Sequence, residues 1–308
     1  MEIIKNGIVF SNDIELILKG NNALKFNYEK NGLIIPNSKF IEDLRNEFKK
    51  VSISTYGNNI TVVDEEKMIY YMNKFINQYK DYFPIVSMDE IYINCDNKNI
   101  FSLDCTRMTG QKELISRLNP HNKDSVRKQI KNLTDKFKKD KINQIILADD
   151  VVFSGSVISQ ISELFEENGI NIVGVIAAIS TEDAYELFNN KLLFGLKCGY
   201  LMKKDVIDEI CERDFYFGIA QSGMSKMENG RIYKAPYFLP YGDPVARASV
   251  PNDQAVKFSN ECVRLSLELW KEIEKRSKKD IFIKDLPEPI LNTNEEENVV
   301  KTLRKVLK

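Results

Sequence analysis

The run from Gln144 to Ile158, Gln-Ile-Ile-Leu-Ala-Asp-Asp-Val-Val-Phe-Ser-Gly-Ser-Val-Ile, concentrates residue types that can do binding chemistry. Ile145 to Ala148 is short, apolar and rich in β-branched residues, the pattern of a buried strand. Two acids follow at once, Asp149 and Asp150, then a small-residue turn, Ser154-Gly155-Ser156. Val157, Ile161, Leu164 and Phe165 recur beyond it at helical spacing. A strand, a carboxylate pair, a Gly/Ser turn and a helix start make an anion cradle. Backbone N–H groups of the turn and of the first helical turn point at one spot, and the helix dipole adds about 0.3–1 kcal/mol for a negative charge there. The two acids would repel that anion, so they serve another part of the ligand. Sugar hydroxyls suit them, because a carboxylate accepts two hydroxyl protons side by side. The implied ligand is a ribose 5-phosphate unit. The bland alternative is an ordinary strand-to-helix connection with Asp and Ser as caps.

Asp149-Asp150-Val151-Val152-Phe153-Ser154-Gly155-Ser156 resembles the phosphoribosyl-pyrophosphate (PRPP) motif of the type I phosphoribosyltransferases, in which a strand ends in two acids, two apolar residues and a Thr/Ser-Gly-Thr/Ser turn. The resemblance implies that Asp149 and Asp150 hold the ribose hydroxyls. It also implies that Val152, Phe153, Ser154, Gly155 and Ser156 wrap the 5′-phosphate. Mg2+ would travel on the PRPP and on water, with no direct protein ligand. Some purine-salvage members carry an acid where this chain has Phe153, and Phe153 cannot do acid/base work. A second, looser likeness lies at Cys105-Thr106-Arg107-Met108-Thr109-Gly110-Gln111, followed by Lys112. It resembles the family's pyrophosphate-binding loop, which gives Thr106, Arg107 and Lys112 to the leaving group and makes Arg107 a catalytic candidate beside Asp149 and Asp150. A plain surface turn with a solvated Arg107 is the alternative.

The elements that must position these residues follow an α/β rhythm. Ile172 to Ile179 is a continuous apolar run, Thr181-Glu-Asp caps a helix after it, and Gly169 ends the helix before it. This order predicts a doubly wound, mostly parallel sheet with ligand beyond the C-terminal strand ends. Val126, Ile130, Leu133 and Phe137 mark a helix over Lys123 to Lys141, standing where the family places a strand pair with a catalytic loop. Another helix is expected to start across Lys112 to Leu118. Upstream, the pattern predicts short strands at Ile3–Phe10, Ile14–Leu18, Ala23–Tyr28 and Ser52–Val63, with helices from Ser38 to Phe48 and over 64–81. The expected regions are an α+β N-terminal region at 1–85, a phosphoribosyltransferase-like core at 86–204 and a C-terminal cap at 205–308 packing on the core. The irregular stretches Cys211–Met224 and Ala235–Pro244 are rich in aromatics, Gly and Pro. They are read either as a binding wall, with Phe215, Tyr241 and Arg247 contacting a base, or as packed core. Phe258 to Ile273 is an amphipathic helix.

Composition bounds the function. With 43% hydrophobic and 29% charged residues and a net charge of −1, the chain reads as globular, the expectation is no membrane partner, and the charge balance argues against nucleic acid. No apolar run approaches the roughly 20 residues of a membrane span. Met1-Glu-Ile-Ile-Lys lacks a signal-peptide core, and five dispersed cysteines fit reduced thiols, so the expected location is the cytoplasm. One histidine, His121, rules out multi-histidine metal sites. The expected activity is transfer of the 5-phosphoribosyl group from PRPP to a nitrogenous base with release of pyrophosphate, with a homodimer admitted as the assembled form. Two alternatives stand beside it: a catalytically silent module sensing PRPP or a nucleotide, and a nucleotide N-glycosidic hydrolase acting as an effector in a bacterial conflict operon.

Overall fold

The computed structural model describes residues 1–20, 26–93, 95, 98–107, 114–115 and 125–307. The chain opens with β1 (Glu2–Ser11), α1 (Ile14–Lys19), α2 (Ser38–Tyr56), β2 (Ile60–Val63) and α3 (Glu65–Tyr79). Next come β3 (Ile85–Ser87), β4 (Ile100–Ser102), β5 (Thr106–Arg107), β6 (Leu114–Ile115) and α4 (Val126–Lys139). A strict alternation follows: β7 (Gln144–Val152), α5 (Ser156–Glu166), β8 (Asn171–Thr181), α6 (Glu182–Lys191) and β9 (Leu196–Cys211). The chain ends with β10 (Met224–Glu228), β11 (Arg231–Ala235), α7 (Pro244–Ala248), α8 (Ala255–Ser277) and α9 (Val299–Val306). The principal sheet has seven strands in the order β2-β1-β9-β8-β7-β3-β4. Its ladders β1–β2, β9–β8, β8–β7, β7–β3 and β3–β4 are parallel, so this is an α/β protein.

The chain divides into two compact units. One comprises Met1–Asn6, Asp64–Arg107 and Gln111–Val206; the other comprises Gly7–Val63, Met108–Gly110 and Ile207–Lys308. In the first, Ile145 and Leu147 of β7 and Val175 and Ala177 of β8 join Ile158, Ile161 and Phe165 of α5, Ile130 and Phe137 of α4, and Phe188 of α6 in one buried cluster. Burying each large apolar side chain contributes about 1.5–3 kcal/mol, and this is what fixes α4, α5 and α6 on the sheet. α3 also packs on β8, and Met68, Met72 and Ile76 form its buried stripe. Ser125 caps α4, accepting the N–H of Lys128 at 3.2 Å, and Thr181 caps α6.

The second unit is held by aromatics. Phe48 of α2 packs on Phe10, Phe215, Tyr216 and Phe258, with ring centroids 4.9 to 6.3 Å apart. Trp270 of α8 is fully buried and donates its indole N–H to the Phe217 carbonyl at 2.6 Å. The same unit buries ion pairs. Arg213 pairs with Asp13, and Arg45 Nε lies 3.2 Å from Glu212 Oε2. Burial pushes the Glu212 carboxyl up to about 7, with Arg45 pulling the other way. Burial likewise lifts Asp214 to about 6.

Several expected elements take another form. Ile14–Leu18 is helix, not strand: Ile14, Ile17 and Leu18 are its buried stripe, at helical spacing. Ser52 to Tyr56 completes α2, so the strand expected over Ser52–Val63 is only β2. The helix expected to start over Lys112 to Leu118 is corrected as well, because Leu114 and Ile115 pair antiparallel with Arg107 and Thr106. A strand pair is thus present ahead of α4, where the sequence reading had a helix replace it. Of the two short strands that the pattern predicts around an Asn/Asp turn, Tyr92–Asn94 and Ile100–Asp104, the second forms as β4, while Tyr92 and Ile93 belong to no strand; Asn94 and Ala23–Lys25 lie outside the described residues. The region expected at 1–85 is split between the two units, and 7–63 clusters with 207–308.

Candidate functional site

β7 runs through both acids to Val152, pairing Asp149 with Ala177 and Val152 with Ser180 on β8. Adjacent strand positions project to opposite faces of the pleat, Asp149 in series with Leu147 and Asp150 with Ile146 and Ala148. A ribose reached by both carboxylates must therefore straddle the strand. Both acids are half-buried. Asp149 accepts the N–H of Asp150 at 3.2 Å, and Asp150 accepts that of Val151 at 2.8 Å.

Beyond Val152, which is buried, the chain bends through Phe153, Ser154 and Gly155 into α5. Gly155 holds φ 71° and ψ 0°, the left-handed region that disfavours side chains. A Cβ there would sit 2.8 Å from Phe188 Cε2, so space and backbone both require glycine. Thr181 pins the bend: its hydroxyl donates to the Phe153 carbonyl and accepts the Ala184 N–H at 3.2 Å. Ser154 Oγ lies 3.1 Å from Ser156 Oγ and accepts the Ser156 N–H at 3.4 Å. The N-cap residue, Gly155, has no side chain to cap α5, and Ser154 Oγ takes only the first N–H of the helix. The first-turn N–H groups have no intrahelical acceptor, so donors and the positive dipole end are turned on the space ahead of the bend. Phe153 is 43% exposed at this edge.

The parallel register brings in acids that the sequence reading missed. Ser87 of β3 is level with Ala148 of β7 and with Ser102 of β4. Two residues past that rung stand Asp150, still within β7, and Asp89 and Asp104, just beyond the ends of β3 and β4. Asp89 is buried, and its carboxylate accepts the N–H groups of Ile91, Tyr92 and Ile93 at 2.9, 2.8 and 3.0 Å. Beside it, Glu90 accepts the Ser102 hydroxyl. Asp104 exchanges backbone bonds with the Gln129 side chain, both at 3.0 Å. In the sequence Asp104 closes the run Ile100–Asp104, which reads as a short strand, whereas Asp89 follows Ile85–Ser87, a run too short to read as one; only the register shows that both share a rung with Asp150.

The other expected site residues are placed as follows. Thr106 is half-buried and lies with Arg107 in β5; the Arg107 side chain and all of Lys112 fall outside the described residues. Phe215 and Tyr241 belong to the second unit and are core there, 0% and 3% exposed. Phe215 packs edge-on against Phe258 at 5.4 Å, and Tyr241 lies 5.0 Å from Phe217. Both are corrected from wall to core, because their faces are already covered by neighbouring rings. Arg247 is half-buried in α7. No group of three or more metal-ligating side chains occurs among the described residues, and no described helix is long and apolar enough to cross a membrane.

No family model matches the chain, and no curated protein matches it either. Among solved structures it is similar to UMP synthase of Leishmania donovani, at 12% identity and a TM-score of 0.27, covering 44% of this chain and 27% of that one. It is also similar to a purine phosphoribosyltransferase of Pyrococcus horikoshii Ot3, at 11% identity and a TM-score of 0.24, covering 47% and 86%. A hypoxanthine phosphoribosyltransferase of Staphylococcus aureus gives 13% identity and a TM-score of 0.24, covering 48% and 76%. The chain spans about a quarter of the first of these. Likenesses at this level assign neither family nor activity.

Proposed function

We propose that the chain binds a 5-phosphoribosyl group at the C-terminal end of β7 and acts on the bond at ribose C1. One observation carries this reading: a strand bearing two acids leads through a bend with left-handed Gly155 into a helix that its N-cap residue does not cap. The bend and helix N–H groups, with the Ser154 and Ser156 hydroxyls, take the 5′-phosphate. Asp149 and Asp150 take the ribose hydroxyls. In the transfer reaction a base nitrogen forms a bond to C1 as the bond from C1 to pyrophosphate oxygen breaks. Positive charge builds on the sugar ring meanwhile, and the two carboxylates stabilise it. Arg107 and Lys112 offset charge on the departing pyrophosphate. Mg2+, where pyrophosphate is present, would be held by ligand oxygens and water, as that ion prefers, and would offset charge on the pyrophosphate. The protein contributes positioning more than covalent chemistry.

Calorimetric titration with ribose 5-phosphate and with ribose tests the binding half. Ribose 5-phosphate is expected to bind at least a hundredfold more tightly. Equal affinities would remove the phosphate cradle. Release of pyrophosphate from PRPP in the presence of nucleobases tests the reaction half. A second reading, a sensor without turnover, is favoured by Phe153, which puts a ring where an acid would assist the base. Saturable ligand binding with no release of base or pyrophosphate would select it.

A further inference from the structure

We propose that the second unit carries a docking surface for double-stranded DNA, a groove between the end of α8 and α9 that holds the phosphate backbone without reading bases. The groove has a volume of about 480 Å³. Lys271 and Lys275 of α8, Lys278 and Lys279 just past its end, and Arg304 of α9 line it. Two acids share it, Glu274 and Asp280. Glu274 is engaged by its own unit, its carboxylate accepting the N–H of Ile281 at 3.0 Å and the Asn298 amide. Lys275 reaches Glu272 at 3.5 Å and Lys279 donates to the Asn31 carbonyl at 3.1 Å, surface contacts of the kind that contribute little. Lys271, Lys278 and Arg304 form no ion pair among the described residues. The net charge of −1 is an average over the chain, and five cations gathered on one groove set a different local field.

Lys278 supplies a second observation. It closes α8 at φ 53° and ψ 35°, the left-handed region that glycine enters without strain and lysine does not. Cations near a helix end complement its dipole, but that effect fades within the last turn, which already holds Lys275 and Arg276. Lys271 stands before that turn. The chemistry of the partner follows from the rest of the lining. Val300, its apolar residue, is 5% exposed, so the groove has no anchor for a peptide side chain or a lipid tail. Among the described residues of the lining there is no aromatic ring to stack an unpaired base, and no hydroxyl or amide side chain to engage a 2′-hydroxyl. Cations alone suit the backbone of duplex DNA, which carries one charge per about 1.7 Å of axis and releases counterions when it is neutralised.

The test is fluorescence anisotropy of a labelled DNA duplex of arbitrary sequence with the full chain, over a salt series starting near 50 mM. Saturable binding is expected, with log K falling against log salt at a slope of about −3 to −4.5, as three to five neutralised phosphates require. Lys271→Gln, Lys278→Gln and Arg304→Gln together should weaken binding at least tenfold and flatten the slope by about 2.7. Lys278→Gly alone should raise resistance to urea and weaken binding, an opposition that a merely structural lysine would not produce. A duplex that does not bind overturns the proposal, as does unchanged affinity in either variant. Tighter binding of an RNA duplex, of poly-glutamate or of phosphatidylserine vesicles than of the DNA duplex also overturns it.

Discussion

Gly155 meets two demands at once, a positive φ and a contact with Phe188 that leaves no room for a methyl group. Gly155→Ala is therefore expected to cost about 1–3 kcal/mol of stability. It should also weaken ribose 5-phosphate binding, since the bend must shift to accept a Cβ. Urea unfolding alongside a binding titration checks both, and a neutral substitution would mean that the bend is plastic. Asp149→Asn with Asp150→Asn keeps shape and removes charge. Each lost charge-assisted bond is worth roughly 1.5–3 kcal/mol, so ribose 5-phosphate affinity should fall by about 100-fold or more in the double variant with little change in melting temperature. Parent-like affinity would make the acids structural. The residues of this motif were legible because they are contiguous. Asp89 and Asp104 were not, since only the register of three strands aligns them with Asp150.

At the scale of elements, α6 does a second job through its first cap. Thr181→Val removes the Ala184 bond and the bond to the Phe153 carbonyl. A loss of about 1–2 kcal/mol is expected, partly restored by Thr181→Ser, with ligand affinity falling alongside. Intact affinity in a folded Thr181→Val protein would show that the bend holds without its tie. In the second unit, Phe215→Ala should cost about 3–5 kcal/mol, the behaviour of a core ring. Tyr241→Phe should be neutral or stabilising, because its buried hydroxyl has no partner among the described residues. A change in ligand preference without loss of stability in Phe215→Ala would restore the wall reading. The strongly periodic helices α4, α5 and α8 and the apolar strands β7 and β8 could be read directly from the sequence. α1 could not: Ile-Glu-Leu-Ile-Leu fits either period, and burial of Ile14, Ile17 and Leu18 decided for helix. β9 was hidden because its second half, Lys203 to Asp208, carries charges that a buried-strand template rejects.

Over the whole molecule, the buried carboxyls of the second unit set a pH dependence. Glu212 has its carboxyl raised from 4.5 to about 7, so the folded chain holds a proton there that the unfolded chain has released. Stability therefore falls as pH rises between those values, by roughly 3 kcal/mol for this group alone. Asp214 acts in the same direction between 3.8 and about 6. Urea unfolding at pH 5 and pH 8 should show greater stability at pH 5, and Glu212→Gln should flatten much of the difference. Stability that increases across this window would contradict the buried-carboxyl account.

The second unit is also discontinuous, and that has a consequence in time. Phe10 and Phe48 leave the ribosome early, whereas the rings that cover Phe48, those of Phe215, Tyr216 and Phe258, are synthesised only after the whole 64–206 segment. At about 5–20 residues per second the wait is on the order of 7–30 s. During that interval the apolar stripe of α2, Ile41, Leu44 and Phe48, lacks the cover that residues 207–308 supply and has only that of its early neighbours such as Phe10. A nascent chain stalled before residue 207 would thus present a sticky helix that the finished protein never displays, and a holdase chaperone would find its natural handle there.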